Sequence, residues 1–310
     1  MSGGSIRTAA AAPAGGRPAV LGAALLAVAF WGATPVATKL AVSGLDPLAV
    51  GLLRTLLAGL LAVPLLALAR LAPPRAPAGR ALLAVSALGG FVLFPVLFSL
   101  GLGRTSAAHG ALILAVLPIF TGLIAAALER RRPRARWWLG AGLAAAGTVW
   151  LVAGRFGLAA PGASLTGDLL VIASALAAST GYVAGARAAR GAGTWAVTFW
   201  GLALGGLVLL PALPLVLEAE QLLQADGGVW LSLLYLAGVS SILAYAAWYW
   251  ALGQGDMGRT GTIQFAQPVV GLVLAALILG EALTWPLLLA AVVIIGGVAL
   301  AQGGARPAEN

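Results

Sequence analysis

The sequence contains no cysteine and only one histidine, His109. The absence of cysteine excludes disulfides, thiol catalysis and thiolate metal sites together. A single histidine cannot assemble a metal site by itself. We therefore expect neither a metal nor a cofactor in this chain, and no enzyme that depends on such groups.

Charged residues are also scarce, at 9% of the 310 residues, whereas ordinary soluble domains contain roughly 25%. Hydrophobic residues make up 61% of the chain, and 43 further residues are glycine. A chain of this composition cannot surround its core with the polar coat that solubility requires. The composition excludes a soluble enzyme and predicts a polytopic membrane protein.

The few charges are mostly positive, with 18 Lys and Arg residues against nine acidic residues. In a soluble protein this excess would suggest a nucleic-acid partner. Here the basic residues lie mainly in short connections between apolar runs, where they contact lipid headgroups and set the orientation. We expect the lipid bilayer and a small-molecule substrate as partners, and no nucleic acid.

Ten apolar runs are each long enough to cross a hydrocarbon core about 30 Å thick. None alternates apolar and polar residues as a transmembrane β-strand does, so the fold class predicted is all-α. The ten predicted spans are Val20–Leu40, Leu48–Ala69, Ala81–Gly101, Ala107–Leu128, Trp137–Gly154, Gly167–Ala188, Trp195–Leu217, Val229–Leu252, Thr260–Gly280 and Thr284–Gln302. The first run lacks a signal-peptide cleavage site and is interpreted as a span. Residues 1–19 are predicted to be a disordered tail, and residues 303–310 a second tail.

Positive charge is distributed unevenly between the two sides of these spans. Fourteen Lys and Arg residues fall in the tails and connections on one side, with the densest group at residues 130–136. The connections on the other side contain only Arg104 and Arg155. Because cytoplasmic loops are enriched in Lys and Arg, both termini are predicted to be cytoplasmic.

The two parts of the chain align at an offset that places Pro118 on Pro268. Residues 20–154 and 167–302 then form two repeats that supply five predicted helices each. Since five is odd, the second repeat would be inverted in the membrane relative to the first, an arrangement typical of secondary transporters. The alternative is that two stretches rich in Leu and Ala align by chance.

Two stretches carry recognisable motifs. The stretch from Phe30 to Ala62 contains Trp31-Gly32, Lys39, Pro47 and Arg54. The stretch from Phe265 to Trp285 contains Pro268, followed by Gly280-Glu281. With these motifs the sequence resembles the EamA-type transporters of the drug/metabolite transporter superfamily, and most closely the aromatic amino-acid exporters. The first half departs from the pattern, since Arg130-Arg131 stands where the Gly-Glu pair would be. The resemblance implies ten helices in two inverted five-helix repeats, and export of small metabolites across a bacterial inner membrane.

Three basic residues within predicted spans are candidates for the transport pathway, namely Lys39, Arg54 and His109. Lys39 and Arg54 either attract a substrate carboxylate near the outer side or bond headgroups and backbone carbonyls. His109 is a candidate for the transport pathway and for titration during transport. No predicted span has a carboxylate at its centre, so the usual coupling group of ion-driven pumps is missing. Proton exchange and facilitated diffusion both remain open.

Aromatic and polar side chains recur at helical spacing in several predicted spans, and we expect some of them to line a cavity. The candidates are Trp31, Thr34, Thr38, Phe94, Phe98, Tyr182, Trp200, Tyr245, Trp248, Gln264 and Gln267. The alternative is that the aromatic residues form interfacial belts and the polar residues join helices. Pro118 and Pro268, at matched positions in the two halves, are predicted hinges.

Together these observations predict an exporter of neutral or zwitterionic metabolites that works by alternating access between the repeats. Amino acids are the expected substrates, and aromatic ones are favoured because they stack on Trp and Tyr. The alternative within transport is efflux of drug-like organic cations, which would require a carboxylate in the cavity. A receptor or lipid-handling protein without transport is a third interpretation. The sequence does not indicate an oligomeric state.

Overall fold

The computed structural model describes residues 17–130, 132–153, 164–254 and 263–303, and every regular element in these ranges is a helix. In chain order the elements are α1 (Arg17–Gly32), α2 (Thr34–Gly44), α3 (Pro47–Leu68), α4 (Pro77–Ser86), the π-helix π1 (Ala87–Leu93), α5 (Phe94–Leu102), α6 (Ala107–Leu114), α7 (Leu117–Leu128), α8 (Ala135–Ala153), α9 (Leu165–Ala192), α10 (Thr194–Leu209), a 3₁₀ turn (Leu210–Ala212), α11 (Leu213–Val216), α12 (Ala219–Gln224), α13 (Gly227–Leu234), the π-helix π2 (Tyr235–Leu243), α14 (Ala244–Gln254), a 3₁₀ turn (Ile263–Phe265), α15 (Ala266–Leu279) and α16 (Trp285–Gln302). The all-α prediction is confirmed for the described part of the chain.

Eight continuous helical stretches in the described ranges are long and apolar enough to cross a membrane. They are Pro18–Gly44, Pro47–Leu68, Pro77–Leu102, Ala107–Leu128, Leu165–Ala192, Thr194–Val216, Gly227–Trp248 and Trp285–Gln302. The fifth predicted span corresponds to α8, which is 19 residues long but is not among these eight, and which includes Arg136, three glycines and Thr148. The ninth corresponds to the shorter apolar stretch Ile263–Leu279, and its first residues, 260–262, lie outside the described residues. The predicted count of ten spans is therefore not confirmed.

Some predicted boundaries differ from those of the structure. The helix α1 begins at Arg17, so the last residues of the predicted disordered tail are helical, with Pro18 in the first turn where its missing N–H costs nothing. The helix α9 continues to Ala192 before Gly193 ends it with a φ of 83°. Residues 1–16, Arg155 and residues 304–310 lie outside the described residues.

Prolines lie at short interruptions or changes of helix type within four of the predicted spans. Pro35, Pro95 and Pro118 each lie in the first turn of a helix, in α2, α5 and α7 respectively. Pro268 lies near the start of α15, after a 3₁₀ turn. Because the first turn of a helix does not need the N–H that proline lacks, each proline begins a new segment at little cost. Helix breaks therefore occur within the apolar layer, where the backbone must find other partners.

Glycines allow several helices to pack with their backbones in close contact. A Cβ added to Gly140 of α8 would lie 2.3 Å from the amide nitrogen of Ala301 in α16. A Cβ on Gly59 of α3 would lie 2.8 Å from the carbonyl oxygen of Leu202 in α10. Small residues at such crossings permit the dense packing on which helix association in lipid depends.

The helix contacts follow a regular pattern along the chain. The second predicted span packs against the seventh, through α3 and α10, and the fifth packs against the tenth, through α8 and α16. The third span contacts the sixth, through α4, π1 and α9, while the eighth contacts the first, through α14 and α1. Each of these four contacts is matched by one in which every span is replaced by the span five places away, whereas the packing of α3 on α5 has no counterpart of similar extent between the seventh and eighth spans. The two π-helices also fall in matched spans, the third and the eighth.

Candidate functional site

Three predicted aromatic residues meet where the first predicted span is broken. The ring of Trp31 at the end of α1 lies 5.1 Å from that of Tyr245, edge to face, and 5.7 Å from that of Trp248. The indole Nε1 of Trp31 donates a 3.1 Å hydrogen bond to the carbonyl oxygen of Ser240 in π2. A π-helical turn leaves carbonyls displaced from the regular ladder, and such turns are frequent at functional sites.

Hydroxyl groups add further contacts between the first span and π2. The hydroxyls of Thr34 and Ser240 lie 2.9 Å apart, and the hydroxyl of Tyr235 donates a 2.6 Å hydrogen bond to the carbonyl oxygen of Phe30. Thr34 was predicted from its spacing, whereas Ser240 and Tyr235 were not. Their role depends on the π-helix, which no pattern in the sequence indicates.

Arg54 lies close to these aromatic residues. Its guanidinium carbon is 5.8 Å from the centre of the Phe94 ring, and the side chain is only 4% exposed. Tyr182 joins the same group of residues through its hydroxyl, which lies 3.5 Å from that of Tyr245. We call Trp31, Arg54, Phe94, Tyr182 and Tyr245 the aromatic–arginine cluster. Its members come from both predicted repeats.

A second group of polar residues surrounds the connection between α5 and α6. Asp168, fully buried at the start of α9, accepts a 2.5 Å hydrogen bond from the Thr105 hydroxyl, and its other oxygen lies 3.2 Å from Nδ1 of His109. Lys39 donates hydrogen bonds of 2.8 and 2.7 Å to the carbonyl oxygens of Leu102 and Thr105.

Glu281 completes this group at the start of α6. Its two carboxylate oxygens accept hydrogen bonds of 2.7 and 2.8 Å from the amides of Ala107 and Ala108. A carboxylate at a helix N-terminus satisfies amides that have no partner within the helix, and it complements the helix dipole. We call Lys39, Thr105, His109, Asp168 and Glu281 the polar network. Asp168 and Glu281 were missed as site candidates, although Glu281 belongs to the Gly-Glu motif.

Lys39 and Arg54, for which the sequence left the same two alternatives open, have different surroundings in the structure. Lys39 is engaged with backbone carbonyls, which matches the structural alternative for that residue. Arg54 has an Nη1 atom that is buried without a hydrogen-bond partner among the described residues. His109 is buried within the polar network rather than exposed on a cavity wall.

The remaining candidates occupy varied positions. Trp200 donates a 3.0 Å hydrogen bond to the Leu71 carbonyl and packs in a separate apolar cluster. Phe98 is fully buried and stacks on Phe94, and the buried Thr38 hydroxyl has no partner in the described ranges. Gln264 and Gln267 are half-buried, and the carbonyl of Gln267 lies close to Gly32 at the break between α1 and α2.

Two surface cavities lie apart from both groups. A cavity of about 660 Å³ is bordered by Arg70, Arg75 and Arg187 together with the connection from α3 to α4. A smaller cavity of about 400 Å³ is lined by apolar residues, among them Leu65 and Phe199. No group of three or more metal-ligating side chains occurs in the described part of the chain.

A bundle of apolar helices, broken within the apolar layer around a buried cation and aromatic rings, has the features of a multi-pass membrane transporter. The chain belongs to the EamA-like transporter family, whose pattern matches residues 19–153 and again residues 165–302. The predicted family is therefore confirmed.

Individual proteins support this assignment. The chain is 34% identical to the uncharacterized transporter YdeK of Bacillus subtilis over 279 residues, covering 89% of this chain and 94% of YdeK. It is 30% identical to a probable amino-acid metabolite efflux pump of Salmonella typhimurium over 296 residues, covering 91% and 94% of the two chains. A solved crystal structure with 25% identity matches with a TM-score of 0.59, covering 95% of this chain and all of the other. Since these named relatives are transporters and efflux pumps, this chain is a transporter rather than an enzyme.

Proposed function

We propose that the protein exports small zwitterionic metabolites, above all amino acids with apolar or aromatic side chains, by alternating access between residues 20–154 and 167–302. The observation that carries this proposal is the aromatic–arginine cluster. Trp31, Arg54 and Phe94 belong to the first repeat, while Tyr182 and Tyr245 belong to the second. A solute bound among them would contact both repeats, so movement of one repeat against the other would change its exposure.

Alternating access requires two comparable halves, and we propose that ten helices form two inverted repeats of five. Four helix contacts support this arrangement, because they match one another when every span is replaced by the span five places away. The π-helices, which lie in the third and eighth spans, also support it. The two separate matches to the family pattern also support it. Pro118 and Pro268, each near the start of a helical segment, are the proposed hinges, because a helix that restarts at proline bends there at low cost.

The substrate assignment draws on chemistry and on relatives. Aromatic rings favour solutes with flat or apolar side chains, and a relative from Salmonella typhimurium is named a probable amino-acid metabolite efflux pump. Efflux of organic cations is the competing function. A buried guanidinium in the cluster opposes it, because like charges at close range in a low dielectric repel strongly.

The test is uptake of labelled amino acids by proteoliposomes that contain the purified protein, with no imposed ion gradient. We expect saturable uptake of the labelled amino acid, and we expect unlabelled phenylalanine and tryptophan to lower it by competition. Trp31→Ala removes two ring contacts and the hydrogen bond to π2, and should lower uptake by roughly tenfold. The control is Trp138→Ala, since Trp138 is 53% exposed and lies outside the cluster. Uptake of an organic cation but of no amino acid would contradict the proposed substrate.

We further propose that the protein lies in the bacterial inner membrane with both termini in the cytoplasm. The connections that contain Arg70, Arg75 and Arg80 would then face the cytoplasm, and Arg104 would face outward. The excess of arginine on one side supports this orientation.

A further inference from the structure

Arg54 is a cation buried beside an aromatic ring, and no carboxylate of the described residues forms an ion pair with it. It lies on α3 about two turns after Pro47, and only 4% of its surface is exposed. No ion pair joins it to a carboxylate among the described residues, and its Nη1 has no hydrogen-bond partner there. Buried charges are ordinarily paired, because removing an ion from water is costly. An unpaired ionisable group at membrane depth points to function.

Carboxylates in the described ranges have partners elsewhere. Asp46 and Asp226 cap the helices α3 and α13, Asp168 and Glu281 belong to the polar network, and Glu218 and Glu220 bond to Gln221 and Gln224. Glu129 lies at the end of α7 and also has an interaction of its own. None of them neutralises Arg54. The described carboxylates therefore leave the Arg54 guanidinium without a paired anion.

The surroundings of Arg54 match a ligand that combines an acid group with an apolar body. The Phe94 ring lies 5.8 Å from the guanidinium carbon, and the cluster also contains the hydroxyls of Tyr182 and Tyr245, which are 3.5 Å apart. Ring faces and hydroxyls stabilise a guanidinium only in part, and Nη1 of Arg54 has no hydrogen-bond acceptor among the described residues. A carboxylate has the planar, two-oxygen geometry that pairs with guanidinium N–H donors.

We propose that Arg54 binds the carboxylate of the transported solute, so that an acid group is obligatory for transport. This inference rests on the transport function proposed above, and it narrows the substrates to carboxylates that carry an apolar or aromatic group. The free cation attracts the acid into the cluster, and the aromatic rings contact the remainder of the solute. Amines without an acid group, including organic cations, are rejected because they meet an uncompensated positive charge.

The first experiment varies the ligand and leaves the protein intact. Proteoliposomes with labelled phenylalanine inside or outside are challenged with unlabelled phenylalanine, 3-phenylpropionate, phenylalanine amide and phenethylamine. We expect phenylalanine and 3-phenylpropionate to compete, and the amide and the amine to be weaker by roughly tenfold to hundredfold, the range for loss of a charged hydrogen bond. Equal competition by the amide would overturn the assignment of Arg54.

The second experiment varies the arginine. Arg54→Gln removes the charge, and we expect uptake of phenylalanine to fall by roughly tenfold to hundredfold, while Arg54→Lys restores part of it. The control is Arg104→Gln, because Arg104 is exposed and donates a hydrogen bond to the carbonyl of Leu100 at a helix end. Size-exclusion elution and thermal unfolding show whether each variant folds. Wild-type uptake by a folded Arg54→Gln variant would contradict the inference.

A ligand-dependent thermal shift of the purified protein separates the two proposals. If amino acids are transported but 3-phenylpropionate and phenylalanine amide raise the unfolding temperature equally, the transport function is supported and the role of Arg54 is contradicted. If no amino acid is transported but 3-phenylpropionate stabilises the wild-type protein and not Arg54→Gln, the amino-acid function falls and the acid site stands. If no carboxylate is transported or stabilises the protein, both are overturned.

Discussion

The position of Asp168 in the sequence does not indicate that its carboxylate is buried and hydrogen-bonded. In the sequence it lies at the start of a predicted span, where a carboxylate is an ordinary helix-end residue. In the structure it is fully buried and joins Thr105 and His109, which belong to a different part of the chain. A buried carboxylate with hydrogen-bond donors stabilises a fold, and removing its charge weakens those bonds.

We expect Asp168→Asn to destabilise the protein by about 1–3 kcal/mol, and to lower its midpoint of thermal unfolding in detergent. The matched control is Asp226→Asn, because Asp226 is an exposed helix cap that bonds the amide of Val229. Asparagine caps a helix nearly as well as aspartate, so this variant should unfold at nearly the wild-type temperature. Equal shifts for the two variants would remove the special role assigned to Asp168.

At the scale of helices, close packing depends on glycines whose contacts the sequence does not disclose. Gly140 and Gly142 are two residues apart in α8 and look equivalent in the sequence. A Cβ on Gly140 would lie 2.3 Å from the Ala301 nitrogen and 2.5 Å from the Gly297 carbonyl oxygen, whereas one on Gly142 would meet nothing within 4 Å. The first faces α16, and the second faces away from it.

Gly140→Ala should therefore force α8 and α16 apart and destabilise the protein by about 1–3 kcal/mol or more, the usual cost of overpacking. Gly142→Ala should be neutral or slightly stabilising, because alanine favours helix more than glycine does. Thermal unfolding of both variants in the same detergent measures the difference. A neutral Gly140→Ala variant would show that the two helices do not depend on this contact.

At the scale of the whole molecule, the orientation follows from charge and can be measured directly. Because the chain has no native cysteine, a single introduced cysteine is the only thiol that a maleimide can label. Arg75 and Arg104 are both exposed and lie in connections predicted for opposite sides.

We expect Arg104→Cys to react with a membrane-impermeant maleimide in intact cells, and Arg75→Cys to react only after lysis. The physical reason is that the reagent cannot cross the bilayer to a cytoplasmic thiol. Denatured samples, in which both thiols are accessible, provide the control for reactivity. The opposite labelling pattern would reverse the proposed orientation.

The prediction of the fold from sequence succeeded where one interaction dominates. A run such as Pro47–Leu68 has to be helical in lipid, because its backbone groups find no water there. The chemistry of proline accounts for the helix breaks at Pro35 and Pro118, although the sequence analysis named only Pro118, as a hinge. The π-helix that includes Ser240 was not anticipated, since its residues are compatible with an ordinary α-helix and only packing against the first span distinguishes them.

The sequence by itself determined the class of protein, its helical character and its family, because apolar length, scarcity of charge and local motifs act along the chain. It also identified Lys39 and Arg54 as two unusual cations, but it could not separate their roles. The tertiary structure decided that Lys39 bonds the carbonyls of Leu102 and Thr105, while Arg54 lies among aromatic rings without an anion from the described chain. The reason is that the partners of a buried charge come from distant parts of the sequence, and only folding brings them within hydrogen-bond distance.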